Sequence, residues 1–219
     1  PVLTVTRVIG DFQQAGASAE RIISLIEEPI EVTDTPEVIE KYGTTLLPNT
    51  ENFEKIKGEI EFKNVGFKYK VGELVLDNFN LKIKAGQTIG LVGSTGSGKS
   101  TIINLVCRFY EPTTGEIFID GKNYKDRSKN WLHSNIGYVL QSPQLFSGTI
   151  KENIMYGKLD ATDEEVRSAA RLVSADEFIE ILPKAYDTEI GEGGSKLSQG
   201  ERQLISFARA IIGNPSILV

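Results

Sequence analysis

Three glycines punctuate the run GSTGSGKS, Gly93 to Ser100. The preceding run QTIGLV is more continuously apolar than an alternating strand, as a central buried strand is. The following run KSTIINLVCRF carries its apolar side chains at helical spacing. A strand that turns tightly through glycine into a helix points to an α/β fold. It also builds an anion site. Glycine lets the backbone curl until several N–H groups converge on one anion. The helix starting near Lys99 adds its N-terminal dipole. Lys99 offers a cation to β- and γ-phosphates, and Ser100 offers a hydroxyl to Mg²⁺. Gly93, Ser94, Thr95, Gly96, Ser97, Gly98, Lys99, Ser100 and Thr101 are therefore the expected phosphate site. The pattern G-x-x-x-x-G-K-[ST] is shared by kinases, GTPases and transport ATPases, so it does not name the reaction.

Composition removes some classes. The 219 residues carry a net charge of -6 and a pI near 5.0. That balance, without a long Lys/Arg run, argues against binding nucleic acid by phosphate neutralisation. The single cysteine, Cys107, sits in the apolar run INLVCRFY. It is expected to be a small buried hydrophobe rather than a reactive thiol. No apolar stretch approaches the roughly 18–20 residues that span a bilayer. No signal peptide is legible either, and the expected setting is cytosolic or cytosol-facing.

Along the chain, residues 1–28 place apolar side chains at Val5, Val8, Ile9, Phe12, Ala15, Ala19, Ile22, Ile23 and Ile26. That spacing predicts a helix, which Pro29 ends. Residues 29–57, with Pro29, Pro36 and Pro48, read as a linker. From residue 58 the texture changes. GEIEFKNVGFKY and FNLKIKAG alternate as half-buried antiparallel strands do, and GEIFIDG and IGYVLQ read as further strands. Helices are expected near Ile150–Met155, Asp163–Val173 and Gln199–Ile212. Thr162 with Glu165, Ser174 with Glu177, and Ser198 with Glu201 have capping-box spacing. Asp163, Glu164 and Glu165 read as a solvated first turn, and His133 as a surface residue.

KLSQGERQLISFARAI, Lys196 to Ile211, resembles the LSGGQ signature of ATP-binding cassette (ABC) proteins, departing at Gln199 and Glu201. Other segments follow in the family's order. Tyr69 in VGFKY resembles the aromatic A-loop, and Gln141 in YVLQSPQLFSG the Q-loop. TEIGEGG, with Glu189, resembles the x-loop of ABC exporters. FQQAGASAERIISLIEE, Phe12 to Glu28, resembles the cytosolic end of an exporter's last transmembrane helix. The fold implied is a P-loop NTPase of ABC type. It has a mixed sheet with an antiparallel β subdomain, a helical subdomain and a preceding helix.

The resemblance implies that ATP stacks on Tyr69 and that Mg²⁺ meets Ser100 and Gln141. Lys99 and Gln141 would serve catalysis. Leu197, Ser198, Gln199, Gly200 and Glu201 would face the nucleotide of a second nucleotide-binding domain, Ser198 and Gly200 meeting its γ-phosphate. Gln141 would sense transmembrane domains, which puts the protein on the cytoplasmic face of a membrane. In the family, an Asp that holds Mg²⁺ and a Glu that orients water follow the strand after the signature helix. Here that strand is NPSILV, and the chain stops at Val219. The expectation is an internal piece of a half-transporter, which alone at best binds ATP. An ATP-binding module without turnover is the alternative. A soluble DNA-repair or translation ATPase fits the acidic balance and the N-terminal helix less well, and an importer fits that helix less well.

Overall fold

The computed structural model describes residues 2–219; the side chains of residues 1–6 and of Val8 lie outside the described residues, Val5 and Val8 of the helical stripe among them. The chain divides into two compact units, Pro1–Thr33 and Asp34–Val219. The first is built on α1, Val2–Glu27. Its apolar residues Ile9, Phe12, Ile22, Ile23, Leu25 and Ile26 are exposed, Phe12 at 80%. A single helix cannot cover its own stripe, and helical stability in proteins comes mostly from tertiary packing of that face. Among the described residues no helix is long and apolar enough to cross a membrane.

The second unit begins with structure where a linker is expected. Thr35 accepts a hydrogen bond from the Val38 N–H and Pro36 occupies the first turn of α2, Pro36–Tyr42. Tyr42 is buried. Downstream, Glu54 lies 3.2 Å from Lys41 Nζ, 3.1 Å from Lys122 Nζ and 3.1 Å from Arg127. Its backbone carbonyl accepts from Trp131 Nε1 at 2.7 Å. Proline content alone is a poor guide here. The segment's charged side chains have fixed partners up to 95 positions away, where the Asp34 carboxylate accepts the Lys129 N–H.

Burial alone would raise the Glu54 pKa. Hydrogen bonds from Lys122 and Lys41 and the charge of Arg127 outweigh it and bring the carboxyl to about 2. A depressed folded-state pKa contributes stability above the unfolded value and loses it as pH falls towards the folded one. The expected result is a urea midpoint that drops between about pH 4.5 and pH 2, with a smaller drop in Glu54→Gln. Parallel acid profiles of the two proteins, measured by urea melts, check this.

β1, Ile60–Lys68, and β2, Leu74–Ile83, pair antiparallel. The next helix is α3, Lys99–Val106, followed by β3, Thr114–Ile119, and β4, Lys122–Asn123. The sheet order is β2-β1-β3-β4. Register shifts interrupt the pairing of β1 beyond Phe62, where Asn64 takes φ 49. At this bulge Gly115, at φ 75, passes so close that a Cβ would lie 2.3 Å from the Asn64 carbonyl oxygen. Phe62, Val65, Ile117 and Ile119 of the sheet share one core with Ile102 and Leu105 of α3 and with Trp131.

The short α4, Lys129–Ser134, leads into β5, Ile136–Gly137, which pairs parallel with β6, Ile217–Leu218. The run Gln87–Val92, expected as a central buried strand, is not a strand in the structure, and Val92 is 97% exposed. An apolar run becomes a buried strand only when neighbours pair with its backbone and cover its faces. Among the described residues no strand pairs with it; the parallel pair there is β5 with β6.

Four helices form a second core: α5, Ile150–Met155; α6, Asp163–Leu172; α7, Asp176–Ile181; and α8, Gln199–Ile211. Ile150, Ile154, Val166, Ala170, Ile179, Ile190, Ile205 and Ala208 meet there. Capping boxes open α6 at Thr162 and Glu165 and α8 at Ser198 and Glu201, as expected, and also α5 at Thr149 and Glu152. The Ser174–Glu177 box does not form. Ala175 is the N-cap of α7 and makes no side-chain cap. Ser174 instead takes φ 57. Its N–H donates to the Arg171 carbonyl and the Ala175 N–H to the Ala170 carbonyl. That is a Schellman closure of α6, which needs a left-handed residue where the box would need an extended one.

Candidate functional site

The phosphate loop is a sequence of conformations that only some residues tolerate. Gly96 and Gly98 lie at φ 85 and φ 86, the left-handed region glycine enters without a Cβ penalty. Gly98 is the N-cap of α3 and lies against Val75 and Leu76 of β2, 3.3 and 3.2 Å from where a Cβ would stand. Ser94, Thr95, Gly96 and Ser97 are exposed, and so is Ser100 in the first turn of α3. Lys99 Nζ folds back over the loop and donates to the carbonyls of Gly93 at 2.8 Å and Ser94 at 2.7 Å, with Ser97 Oγ at 3.4 Å. A cation is thus held beside backbone N–H groups at a helix start, the arrangement that receives a polyphosphate.

Thr101, in the first turn of α3, is only 5% exposed, and its hydroxyl is hydrogen-bonded to the Tyr69 hydroxyl at 3.1 Å. Tyr69 follows directly on β1 and is half-buried. Its ring is near-perpendicular to those of Phe67 and Tyr110, with centroids at 4.8 and 5.1 Å. The structure therefore brings Tyr69 to the helix that the phosphate loop starts.

Gln141 is exposed, in a bend after β5. The segment beyond it is tied to TEIGEGG. The Ile150 N–H donates to the Thr188 carbonyl and the Ile190 N–H to the Gly148 carbonyl. Glu189 bridges Thr149 antiparallel, and its carbonyl accepts from Lys196 Nζ at 3.1 Å. Lys196 leads into LSQGE. Leu197 is buried, while Ser198, Gln199 and Gly200 are exposed at the start of α8. The Glu201 carboxylate accepts the Ser198 N–H at 2.7 Å, and Ser198 Oγ accepts the Glu201 N–H at 3.3 Å. The carboxylate is held in the cap. The first-turn N–H groups at Gln199 and Gly200 have no partner within the helix geometry, and a Cβ at Gly200 would meet open space.

A family model for ABC transporters matches residues 76–219. The chain belongs to the ABC transporter family. It is 44% identical, over its whole length and 34% of the relative, to the uncharacterized ABC transporter ATP-binding protein YfiC of Bacillus subtilis. It is 42% identical, over its whole length and 36% of the relative, to the ATP-dependent lipid A-core flippase of Desulfotalea psychrophila. The solved structure of a bacterial Atm1-family ABC exporter with ATP bound superposes with a TM-score of 0.80 at 37% identity, covering 94% of this chain and 34% of that one. The chain thus spans about a third of the length of these relatives. Its fold is the mixed α/β fold of an ABC nucleotide-binding domain, and ATP is the ligand that family membership implies.

Within this ABC domain two residues escaped the sequence reading. Arg209 of α8 donates from Nε to the Asn153 carbonyl at 2.9 Å, from Nη2 to Asn153 Oδ1 at 2.8 Å and from Nη1 to the Gln144 carbonyl at 2.8 Å. Asn153, buried in α5, also donates to the Phe146 carbonyl. Together they bind α8 to the segment after Gln141. The only signal in the sequence was an amide inside the apolar turn of KENIM, which fits a buried partnered polar group.

The other singled-out residues are structural. Cys107 is 1% exposed, and burial pushes its thiol up to about 12. His133 is exposed, with its Nε2 bonded to the Cys107 carbonyl at 2.9 Å. Asp163 pairs with Lys151, whose hydrogen bond holds its carboxyl below the usual range.

Proposed function

We propose that this chain is the ATP-driven motor domain of an ABC exporter on the cytoplasmic face of a membrane. The observation that carries the reading is the loop Gly93–Ser100 with Lys99 Nζ held over it at the start of α3. Tyr69 receives the adenine, the loop N–H groups and Lys99 receive the phosphates, and Ser100 and Gln141 face Mg²⁺. Among the described residues no group of three His, Cys, Asp or Glu side chains could hold a metal. That fits a Mg²⁺ carried mainly by phosphate oxygens, one hydroxyl and one amide. The ion would neutralise charge developing on the phosphates. The chain's own part is to grip the triphosphate and align it.

The segment Leu197 to Glu201 at the start of α8, exposed at Ser198, Gln199 and Gly200, meets the γ-phosphate held by a second nucleotide-binding domain. Its free N–H groups and the open space at Gly200 support that reading. Closure on ATP is passed to transmembrane domains through the segment after Gln141, which Arg209 and Asn153 bind to α8. The transported substrate belongs to those domains.

A crosslinking experiment tests the arrangement. In full-length protein carrying Ser94→Cys and Ser198→Cys, a short thiol crosslinker should yield covalent dimer with ATP and little without it. The buried Cys107 stays out of the reaction. Equal dimer with and without ATP, or none at all, overturns the head-to-tail arrangement.

A further inference from the structure

The A-loop aromatic is gripped by α3 at two places. At the first turn of the helix, the Thr101 hydroxyl bonds the Tyr69 hydroxyl at 3.1 Å. At the far end, α3 closes with Arg108 at φ 53. The Arg108 N–H donates to the Leu105 carbonyl and the Phe109 N–H to the Asn104 carbonyl, a Schellman closure. That turn leads the chain to Tyr110, whose ring stands 5.1 Å from Tyr69 at 89° and 5.7 Å from Phe67 at 63°. Tyr110 is half-buried and packs on the core shared by β1 and α3. Phe67, Tyr69 and Tyr110 form a closed triangle of edge contacts, an arrangement that restricts a ring more than one contact would.

We propose that Tyr110 is a positioning residue for base recognition. With the Thr101 hydroxyl it fixes the Tyr69 ring, so that the helix born from the phosphate loop also sets where the base lies. This rests on the reading of Tyr69 as the platform for adenine. Recognition of base and of phosphate is then one rigid unit, and triphosphates whose base cannot reach that ring lose the contribution of the stack. Nothing in Tyr110 itself touches the nucleotide in this scheme. Its effect is on ligands that carry a base.

The test compares two probes on the full-length protein with Mg²⁺ withheld: ATP and inorganic tripolyphosphate. For Tyr110→Leu, the ATP Kd should rise about fivefold or more, the lower range of a lost base stack. The tripolyphosphate Kd should move by less than about twofold. Tyr110→Phe keeps the ring and should bind both as the parent does. Should the leucine variant fail to fold, Tyr110→Met takes its place, since an unbranched thioether fills irregular gaps. Equal weakening of both probes would mean a merely structural role and overturns the proposal, as does an unchanged ATP Kd in a folded variant. A parent protein that binds ATP no more tightly than tripolyphosphate removes the adenine platform and the proposal with it. A parent that binds neither probe removes the nucleotide reading itself, a failure visible in the phosphate arm.

Discussion

Lys99→Ala in the full-length protein is expected to lower ATP hydrolysis by about 100-fold or more, the range for deleting one preorganised charge-stabilising donor. Phosphoryl transfer offers a protein little covalent work, so charge placement and alignment carry most of the catalysis. Lys99 supplies the charge beside the loop, and its described partners are the carbonyls of Gly93 and Ser94 and the Ser97 hydroxyl. Those groups can turn to water when the side chain is removed, so the unfolding temperature should stay within a few degrees. Lys99→Arg is a useful companion. It keeps the charge but exchanges a compact ammonium for a planar fork, and activity should remain low. Phosphate release and a thermal melt, run on the same preparations, decide the matter. Near-normal turnover in a folded Lys99→Ala protein would remove the assignment of the site.

The second large effect is on stability. Arg108 is 2% exposed. Its guanidinium meets Asp34 at 3.0 Å and Glu111 at 2.9 Å, and donates to the Arg127 carbonyl at 2.8 Å. Asp34 is the first residue of its compact unit and also accepts the Lys129 N–H. Arg108→Met leaves the largely buried Asp34 without this cation, while Glu111 keeps Lys125 at 3.0 Å. Breaking a buried pair from one side costs roughly 3–5 kcal/mol, because the remaining charge is desolvated and uncompensated. For a unit of this size that corresponds to an unfolding midpoint lower by about 10 °C. Asp34→Asn should cost less, since Glu111 still neutralises the guanidinium. A melt of Arg108→Met that matches the parent would show that water replaces the arginine at no cost.

Local signals were read well where one residue type has few alternatives. Gly96 and Gly98 stand at left-handed φ in the loop they were expected to form. The capping boxes at Thr162 and Ser198 close as their spacing requires. Each depends on residues within a few positions of one another, and chain proximity makes such contacts almost independent of the rest of the fold. The Ser174 box fails because the same serine is needed to end α6, and a single backbone cannot be both left-handed and extended. Glu201 departs from the signature, and its carboxylate is bonded to the Ser198 N–H as the capping-box spacing requires.

What the amino-acid sequence determined by itself is the local chemistry: a glycine loop before a helix, a lysine and a hydroxyl at its mouth, and the boxes that start α6 and α8. What only the tertiary structure decided is which distant groups meet. Tyr69 reaches Thr101 across 32 positions, Arg108 reaches Asp34 across 74, and Arg209 reaches Gln144 across 65. It also decided that, among the described residues, no strand pairs with the run Gln87–Val92. The physical reason is that periodicity states which side of an element is apolar but not what covers it. A ring, a buried guanidinium or a strand edge finds its partner only after the chain has closed its long loops, and many partners satisfy the same pattern equally well.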